Sequence, residues 1–250
     1  MQTQKTFNLV YFPQINSTNT HALRNISDFS DRDVLMAEIQ TEGRGRFDRK
    51  WISDKPENIY ISFVLKPSIK IGEDSSLNNI PQYLSIKLCE TLEIYGVNPV
   101  IKWPNDVLIN NKKIAGILAQ TSIRGNDFQG LVLGIGVNLN FDKTDMEKID
   151  RPATSLNLVL GKKIDRDEFL KSLLERFFEN YDEFLNTGFD FIKNDYIKKA
   201  YFLGNTVTVN TYKSQIKGIA QKIADDGSLI IIPEYSSTET IIKMGEILEF

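Results

Sequence analysis

Two stretches of the chain gather residues that could do chemistry. The first reads Gly43-Arg44-Gly45-Arg46-Phe47-Asp48-Arg49-Lys50-Trp51. Glycines let backbone N–H groups come close to a ligand, and guanidinium groups offer forked donors to phosphate or carboxylate oxygens. Trp51 adds a flat face for stacking. Together these suit a phosphorylated aromatic small molecule such as a nucleotide; a flexible basic surface loop has the same composition. No dinucleotide fingerprint is completed, because Asp48 stands where the third glycine is needed and no helix pattern follows. No Walker A loop occurs. The second stretch is Lys102-Trp103-Pro104-Asn105-Asp106 followed by Lys113-Ile114-Ala115-Gly116. Pro104 fixes the backbone and gives Asn105 and Asp106 a defined direction. Lys113 can act as a point charge on a carboxylate or phosphate, with Ala115 and Gly116 leaving room for a ligand. The alternative is a plain hairpin carrying a solvated Lys112-Lys113 pair.

Lesser candidates surround these two. Asn16-Ser17-Thr18-Asn19 could hold polar ligand atoms or simply cap a helix. Gln40 ends a strand beside the basic loop. Gly134-Ile135-Gly136-Val137-Asn138 reads as a pocket floor or as a bulge. His21 reads as a polar residue on a short helix, and Cys89 as packing between Leu88 and Leu92. The aromatic run at 177–184 reads as core rather than cofactor site.

The elements that must carry these residues follow from periodicity. Asn19 to Asn25 predicts a short helix. Val34 to Ile39 and Ile59 to Lys66 predict buried strands, with 41–51 a loop that packs into no element. Pro81 to Tyr95 predicts a helix, since Leu84, Leu88 and Leu92 recur at i, i+4 and i+8. Val100 to Lys102 predicts a strand before the Trp103–Asp106 turn. Val107–Ile109 and Ile114–Gln120 flank an Asn110-Asn111 hairpin signal. Gly130 to Asn140 predicts a strand interrupted by Gly134 and Gly136. Asp165 and Glu168 predict a capping box for one long helix with Phe169, Leu170, Leu173, Leu174, Phe177, Phe178, Tyr181, Phe184 and Leu185 on its apolar face. Beyond Leu203-Gly204, short alternating strands with an Asp226-Gly227 turn predict a small β domain. Successive strands without intervening helices predict an α+β fold with a mainly antiparallel sheet. The boundary is expected near residue 203, dividing 1–202 from 203–250.

Composition narrows the class. The 250 residues carry 30 Lys+Arg against 33 Asp+Glu, a net charge of −3, with 41% hydrophobic and 25% charged residues. Such a chain can bury a core, and its charge speaks against broad nucleic-acid binding. A single Cys and a single His exclude an intrachain disulfide framework and Cys- or His-rich metal sites. No apolar run approaches the roughly 20 residues that span a bilayer. The start of the chain shows no signal peptide, so a cytoplasmic protein with no membrane partner is expected.

Taken in order, these pieces resemble the biotin protein ligases. Ser17-Thr18-Asn19 looks like the family's Ser-Thr-Asn. Gly43-Arg-Gly-Arg-x-x-Arg49-x-Trp51 fits its loop at every fixed position. Lys102-Trp-Pro-Asn-Asp106, Lys113-Ile-Ala-Gly-Ile-Leu118 and Gly134-x-Gly136-x-Asn138 follow in the family's order. The resemblance covers essentially the whole chain. It implies a class II synthetase-like catalytic domain, with an antiparallel mixed sheet and helices on one side, followed by a small SH3-like β-barrel. It implies ATP, Mg²⁺ and biotin, with biotinyl-5′-adenylate formed first. Biotin then passes to one lysine of a biotin carboxyl carrier protein, the acetyl-CoA carboxylase subunit.

By the resemblance, Lys113, Arg46 and Arg49 screen the charge between carboxylate and α-phosphate, with Asp106 orienting Lys113 or assisting near the phosphates. Ser17, Thr18, Asn19, Gln40, Gly43, Arg44, Lys113 and Gly116 hold biotin. Gly45, Arg46, Arg49, Trp51, Lys102, Asn105 and Asn138 hold ATP or the adenylate. The resemblance names no protein ligands for a metal. Asn16 replaces a common Asp, with little effect expected, and Asp48 replaces a small residue and could alter loop closure. Ser17 opens the ligase motifs after only 16 residues, so no DNA-binding domain and no repressor role are expected. A free sheet edge could pair two copies, leaving a homodimer open. The rival readings are a lipoate or octanoate ligase of the same fold, built around a different Arg- and Gly-rich loop, and a non-catalytic RNA-binding module.

Overall fold

A computed structural model describes residues 7–47, 49–68 and 76–249. Asp48, whose part in loop closure the sequence raises, lies outside the described residues. In chain order the elements are β1 (Asn8–Ile15), α1 (Thr18–Arg24), β2 (Asp33–Gln40), β3 (Ile59–Leu65), α2 (Ser76–Glu93), β4 (Val100–Lys102) and β5 (Asp106–Ile109). Then come β6 (Lys112–Arg124), β7 (Asp127–Val137), α3 (Lys143–Glu147), α4 (Leu156–Leu160), α5 (Arg166–Glu179), α6 (Tyr181–Thr187) and α7 (Lys193–Lys199). The chain closes with β8 (Thr206–Asn210), β9 (Gln215–Ile223), β10 (Leu229–Pro233), β11 (Thr240–Ile242) and β12 (Glu246–Glu249). They fall into two compact units: Met1–Asp74 with Ile109–Phe178, and Ser75–Leu108 with Glu179–Phe250.

In the first unit the strands run in the order β1-β2-β3-β7-β6. β1 is parallel to β2, and the other neighbours are antiparallel. β3, Ile-Tyr-Ile-Ser-Phe-Val-Leu, is buried throughout, as a run apolar at every position but Ser62 requires of a central strand. Successive side chains of a strand point to opposite faces. Ser62 donates to Thr18 and Asn19 of α1, while its neighbour Phe63 packs on Phe177 of α5 at 4.4 Å between ring centroids. Helices therefore cover both faces, not the single side expected. Beneath α1, Ala22 and Ile26 join Leu35, Val64 and Val132 in a closed apolar cluster. His21 of α1 lies between the rings of Phe12 and Phe29.

Several local expectations change. β1 has no counterpart in the sequence reading: it is an edge strand with Leu9 and Tyr11 exposed, only half-buried on its Val10 and Phe12 face, and the Pro13 inside it argues against a strand. β7 is not interrupted at its glycines. It holds register with β3 and β6 straight through Gly134 and Gly136, and the irregularity falls at Ser122/Ile123. Asn110 and Asn111 take φ of 51° and 60°, the paired left-handed geometry of a tight turn. Asp165 caps α5, accepting from the N–H groups of Asp167 and Glu168 at 3.0 Å. The single long helix breaks at Asn180 into α5 and α6, though the predicted apolar face is buried except for half-buried Leu185.

In the second unit α2 starts at Ser76, so Pro81 lies inside the helix and does not begin it. β4 and β5 pair with Lys102 opposite Asp106. Between them Trp103 is buried, and its indole N–H donates to Gly227 O at 3.2 Å. Tyr196 Oη donates to Pro104 O at 3.0 Å. Cys89 is buried on α2, and burial pushes its thiol well above its ordinary value. The C-terminal strands form a five-stranded antiparallel sheet, β11-β10-β9-β8-β12, turning at Asp226-Gly227 with Gly227 at φ 77°. This is the small β-rich region the turn signals predict. Among the described residues no helix is long and apolar enough to cross a membrane.

Candidate active site

The first unit gathers most of the singled-out residues along one face of its sheet. Ser17 caps α1, its Oγ accepting from Thr20 N–H at 3.4 Å, which satisfies an otherwise orphan helix donor. Thr18, the first helical residue, donates from both N–H (2.9 Å) and Oγ1 (3.2 Å) to Gln40 Oε1 at the end of β2. Gln40 Nε2 donates onward to Ser53 Oγ at 3.0 Å, and Ser53 to Trp51 O at 3.1 Å. One hydrogen-bonded chain thus runs from α1 to the end of the basic loop.

That loop is more ordered than its composition suggests. Trp51 N–H donates to Gly43 O at 2.8 Å, and Gly45 N–H to Arg49 O at 2.7 Å, with Arg44 and Lys50 paired as an antiparallel bridge between them. The expectation that nothing packs there is corrected: 43–51 closes as a small hairpin, because its own backbone groups satisfy one another. At its tip Phe47 takes φ 55°. Arg46 and Arg49 both lie over the Phe47 ring, at 5.2 and 5.4 Å. Stacking on one ring gives the two guanidinium groups a common platform.

At the base of the loop the Trp51 indole lies on β6 and β7, where Gly116 and Gly136 are direct partners in register. Lys113 Nζ sits 5.4 Å from the Trp51 ring centroid. Trp51 Nε1 is buried with no hydrogen-bond partner among the described residues. The other face-mate of β7, Gly134, lies under Asn19. Asn19 is 5% exposed and fully engaged: Oδ1 accepts from Ser62 Oγ at 2.5 Å, and Nδ2 donates to Leu118 O at 3.2 Å and Gln120 Oε1 at 3.3 Å.

Lys113 and Asn138 are held by a backbone strap that no residue pattern signals. Lys113 N–H donates to Pro152 O and Thr154 N–H to Lys113 O, both at 2.9 Å. Asn138 Nδ2 donates to Thr154 O at 3.1 Å, and Leu156 N–H to Asn138 O at 3.0 Å. Residues 152–156 thus tie the start of β6 to the end of β7.

Two ion clusters flank the site's strands. Burial acts to raise the Glu38 carboxyl, but donation from Arg166 Nη1 at 2.6 Å and Tyr11 Oη at 2.9 Å outweighs it and holds the group below the ordinary value. At the start of α3, burial again acts to raise Asp145. Lys55 at 2.6 Å, the Asp142 N–H at 3.0 Å and Lys148 at 3.2 Å overcome it and hold Asp145 down at about 2.

Of the residues singled out from sequence, Ser17, Thr18, Asn19, Gln40, Gly43, Arg44, Gly45, Arg46, Arg49, Trp51, Lys113, Gly116 and Asn138 belong to the first unit. Lys102, Asn105 and Asp106 belong to the second, where Lys102 Nζ and Asp106 Oδ2 are 3.8 Å apart. Sequence reasoning missed Ser53, Ser62, Gln120 and the 152–156 strap. Ser62 was findable, as the lone polar residue in an otherwise apolar β3. The strap works through backbone groups, which leave no signature in residue type.

The chain's likeness to known proteins agrees with this geometry. The model of the biotin/lipoate A/B protein ligase family matches residues 11–138. The bifunctional ligase/repressor BirA of Bacillus subtilis is 31% identical, over 89% of this chain and 69% of that protein. The biotin–[acetyl-CoA-carboxylase] ligase of Paracoccus denitrificans is 33% identical, over 86% of this chain and 90% of that protein. A solved structure of the biotin protein ligase from Aquifex aeolicus in complex with biotin and ATP has TM-score 0.82 and 31% identity, covering 96% of this chain and 97% of that one. The matched residues include the Ser-Thr-Asn start of α1, the Gly43–Trp51 loop and the glycines of β7, and on these grounds the chain belongs to the biotin/lipoate A/B protein ligase family.

Proposed function

We propose that this enzyme is a biotin protein ligase acting in two steps. A biotin carboxylate oxygen attacks the α-phosphorus of MgATP, forming biotinyl-5′-adenylate and releasing pyrophosphate. The ε-amine of one lysine on a biotin carboxyl carrier domain, the acetyl-CoA carboxylase subunit, then attacks the acyl carbon. An amide forms, AMP leaves and the amine gives up a proton. Mg²⁺ arrives with the phosphates as part of the substrate. The single observation that carries the reading is the closure of the 43–51 hairpin, with Trp51 laid on Gly116 and Gly136 beside Lys113.

Residue types explain the assignments. Carboxylate and α-phosphate repel, and Lys113, Arg46 and Arg49 offset that repulsion where charge develops. Thr18, Ser17, Gln40 and the backbone at Arg44 offer the mixed donors and acceptors a ureido ring needs. Gly43 must stay small, since a Cβ there would lie 2.6 Å from Ser53 Oγ. Trp51 and Asn138 take the adenylate's base, and the Lys102-Trp-Pro-Asn-Asp106 motif is assigned to ATP by the family resemblance. The catalytic region is proposed as 1–202 and the small β domain as 203–250. The reaction belongs in the cytoplasm, where ATP and carrier are available. DNA binding has no part in this reading, and biotin-dependent retardation of operon DNA would overturn that.

The test is pyrophosphate release from MgATP with biotin, octanoate or lipoate, with mass spectrometry of the bound product. Biotin-dependent release with retained biotinyl-adenylate is expected. Release with octanoate or lipoate alone would move the chain to the sister activity. Arg46→Ala is expected to weaken retention of the adenylate more than binding of free biotin.

A further inference from the structure

We propose that Gly134 and Gly136 of β7 are seats for two side chains of this same chain, and that Gly136 is a positioning residue acting through Trp51. The inference rests on the ligase reading for its kinetic test. Gly134 and Gly136 share one face of β7, two residues apart. Across the sheet they stand in two adjacent rows, Ser62–Gly134–Leu118 and Tyr60–Gly136–Gly116. Each row receives one residue from elsewhere in the first unit.

Asn19 fills the first. It bonds to Ser62 and to Leu118 O, the two flanking members of its row, and any Cβ at Gly134 would strike its Oδ1 and come within 2.8 Å of its Cγ. Trp51 fills the second. A Cβ at Gly136 would strike Cε2 and Nε1 of the indole and lie 2.6 Å from Cζ2. At Gly116 it would lie 3.1 Å from Cζ3 and 2.9 Å from Lys113 Nζ. No hydrogen bond fixes the indole, because Nε1 is buried without a partner among the described residues. Apart from the Lys113 ammonium over its ring, the indole is held by shape, and the shape is the absence of side chains at 116 and 136. The glycine pair of β7 thereby links the Ser-Thr-Asn start of α1 to the 43–51 hairpin, and a methyl group at 136 would lift Trp51 and the hairpin behind it.

A double-mutant cycle separates this from a glycine that makes room for substrate. Gly136→Ala is expected to lower kcat/KM for MgATP by about 100-fold, the scale of an ångström-sized misplacement. Trp51→Ala, which removes the whole indole, is expected to lower it about 10-fold, the scale of a lost aromatic stacking contact. The combined variant should be no worse than Trp51→Ala alone. A loss equal to the product of the two would assign the space at Gly136 to the ligand and overturn the proposal. The same cycle in urea unfolding needs no activity: Gly136→Ala should lower the midpoint of the wild type but not that of Trp51→Ala. If Gly136→Ala does not fold, the double variant should unfold with the midpoint of Trp51→Ala; a lower midpoint overturns the seat. If the wild type releases no biotin-dependent pyrophosphate, the ligase reading fails, and the unfolding cycle still decides the seat.

Discussion

Asn19 and Trp51 occupy neighbouring seats on one strand, yet their chemistry differs. Asn19 has every polar group spoken for, by Ser62, Leu118 and Gln120. Trp51 is held by packing and by the Lys113 ammonium over its ring, with a buried N–H that has no partner among the described residues. A buried, satisfied amide is costly to remove, whereas an unsatisfied donor carries a desolvation penalty while it stays. The Asn19 end of the site is therefore a fixed joint. The Trp51 end gains stability from any movement or ligand that answers its donor, as the proposed nucleotide role of Trp51 would require.

The comparison can be broken in four ways. The largest effect belongs to Lys113, beside Trp51. Lys113→Ala is expected to cut biotinyl-adenylate formation by on the order of 10²-fold or more, while the chain still folds, with stability lowered by no more than about 1 kcal/mol for the lost contact over Trp51. Unaltered turnover would take Lys113 out of the mechanism. Asn19→Ala should do the reverse, lowering unfolding free energy by about 2–3 kcal/mol because Ser62, Leu118 O and Gln120 lose partners. A fully stable Asn19→Ala would show that the joint is not fixed by those bonds.

A third, smaller effect lies away from both seats and serves as a control. Asp145 is held at about 2 against an ordinary 3.8. Its folded value is depressed, so its contribution is complete above about pH 3.8 and is lost as pH falls from there through 2. The loss should be on the order of 1–2 kcal/mol after allowing for solvent screening. Acid unfolding followed by circular dichroism should lose this step in Lys55→Met, whose side chain no longer donates to Asp145. The smallest effect is at Trp51 itself. Replacing its indole N–H by sulfur, with benzothienylalanine, should change stability by less than about 0.5 kcal/mol or raise it, because no bond is broken. A marked loss would reveal a partner for Nε1.

Much of this was legible because side-chain type and backbone need coincide. Leu84, Leu88 and Leu92 announce α2, Asp226-Gly227 announces its turn, and the run from Ile59 to Leu65 announces a central strand. The reading failed where a different term won. β1 is an edge strand whose Val10 and Phe12 face is only half-buried, and its Pro13 argues against a strand. α5 ends before Asn180 although the apolar periodicity continues through Phe184, because Asn180 leaves the helical region at φ −117°, ψ 13° and starts α6. In the site, the Gly/Arg loop was recognisable, but its closure as a hairpin depends on backbone pairs such as Gly45–Arg49. Gly134 and Gly136 looked like candidates for a bulge. Their register with β3 and β6 shows that they bend nothing, and what they accommodate comes from residues about 80 to 115 positions away.

The burial of Cys89 has a practical consequence. It is the only cysteine in the chain, and its thiol sits inside α2 with its ionisation suppressed. Thiolate is the species that alkylates, so maleimides and iodoacetamides will pass it by in the folded protein. The natural chain thus serves as a blank background for labelling. A cysteine introduced at exposed Arg44 would take a single fluorophore or spin label. A label there would report on the hairpin's surroundings without first removing any native residue.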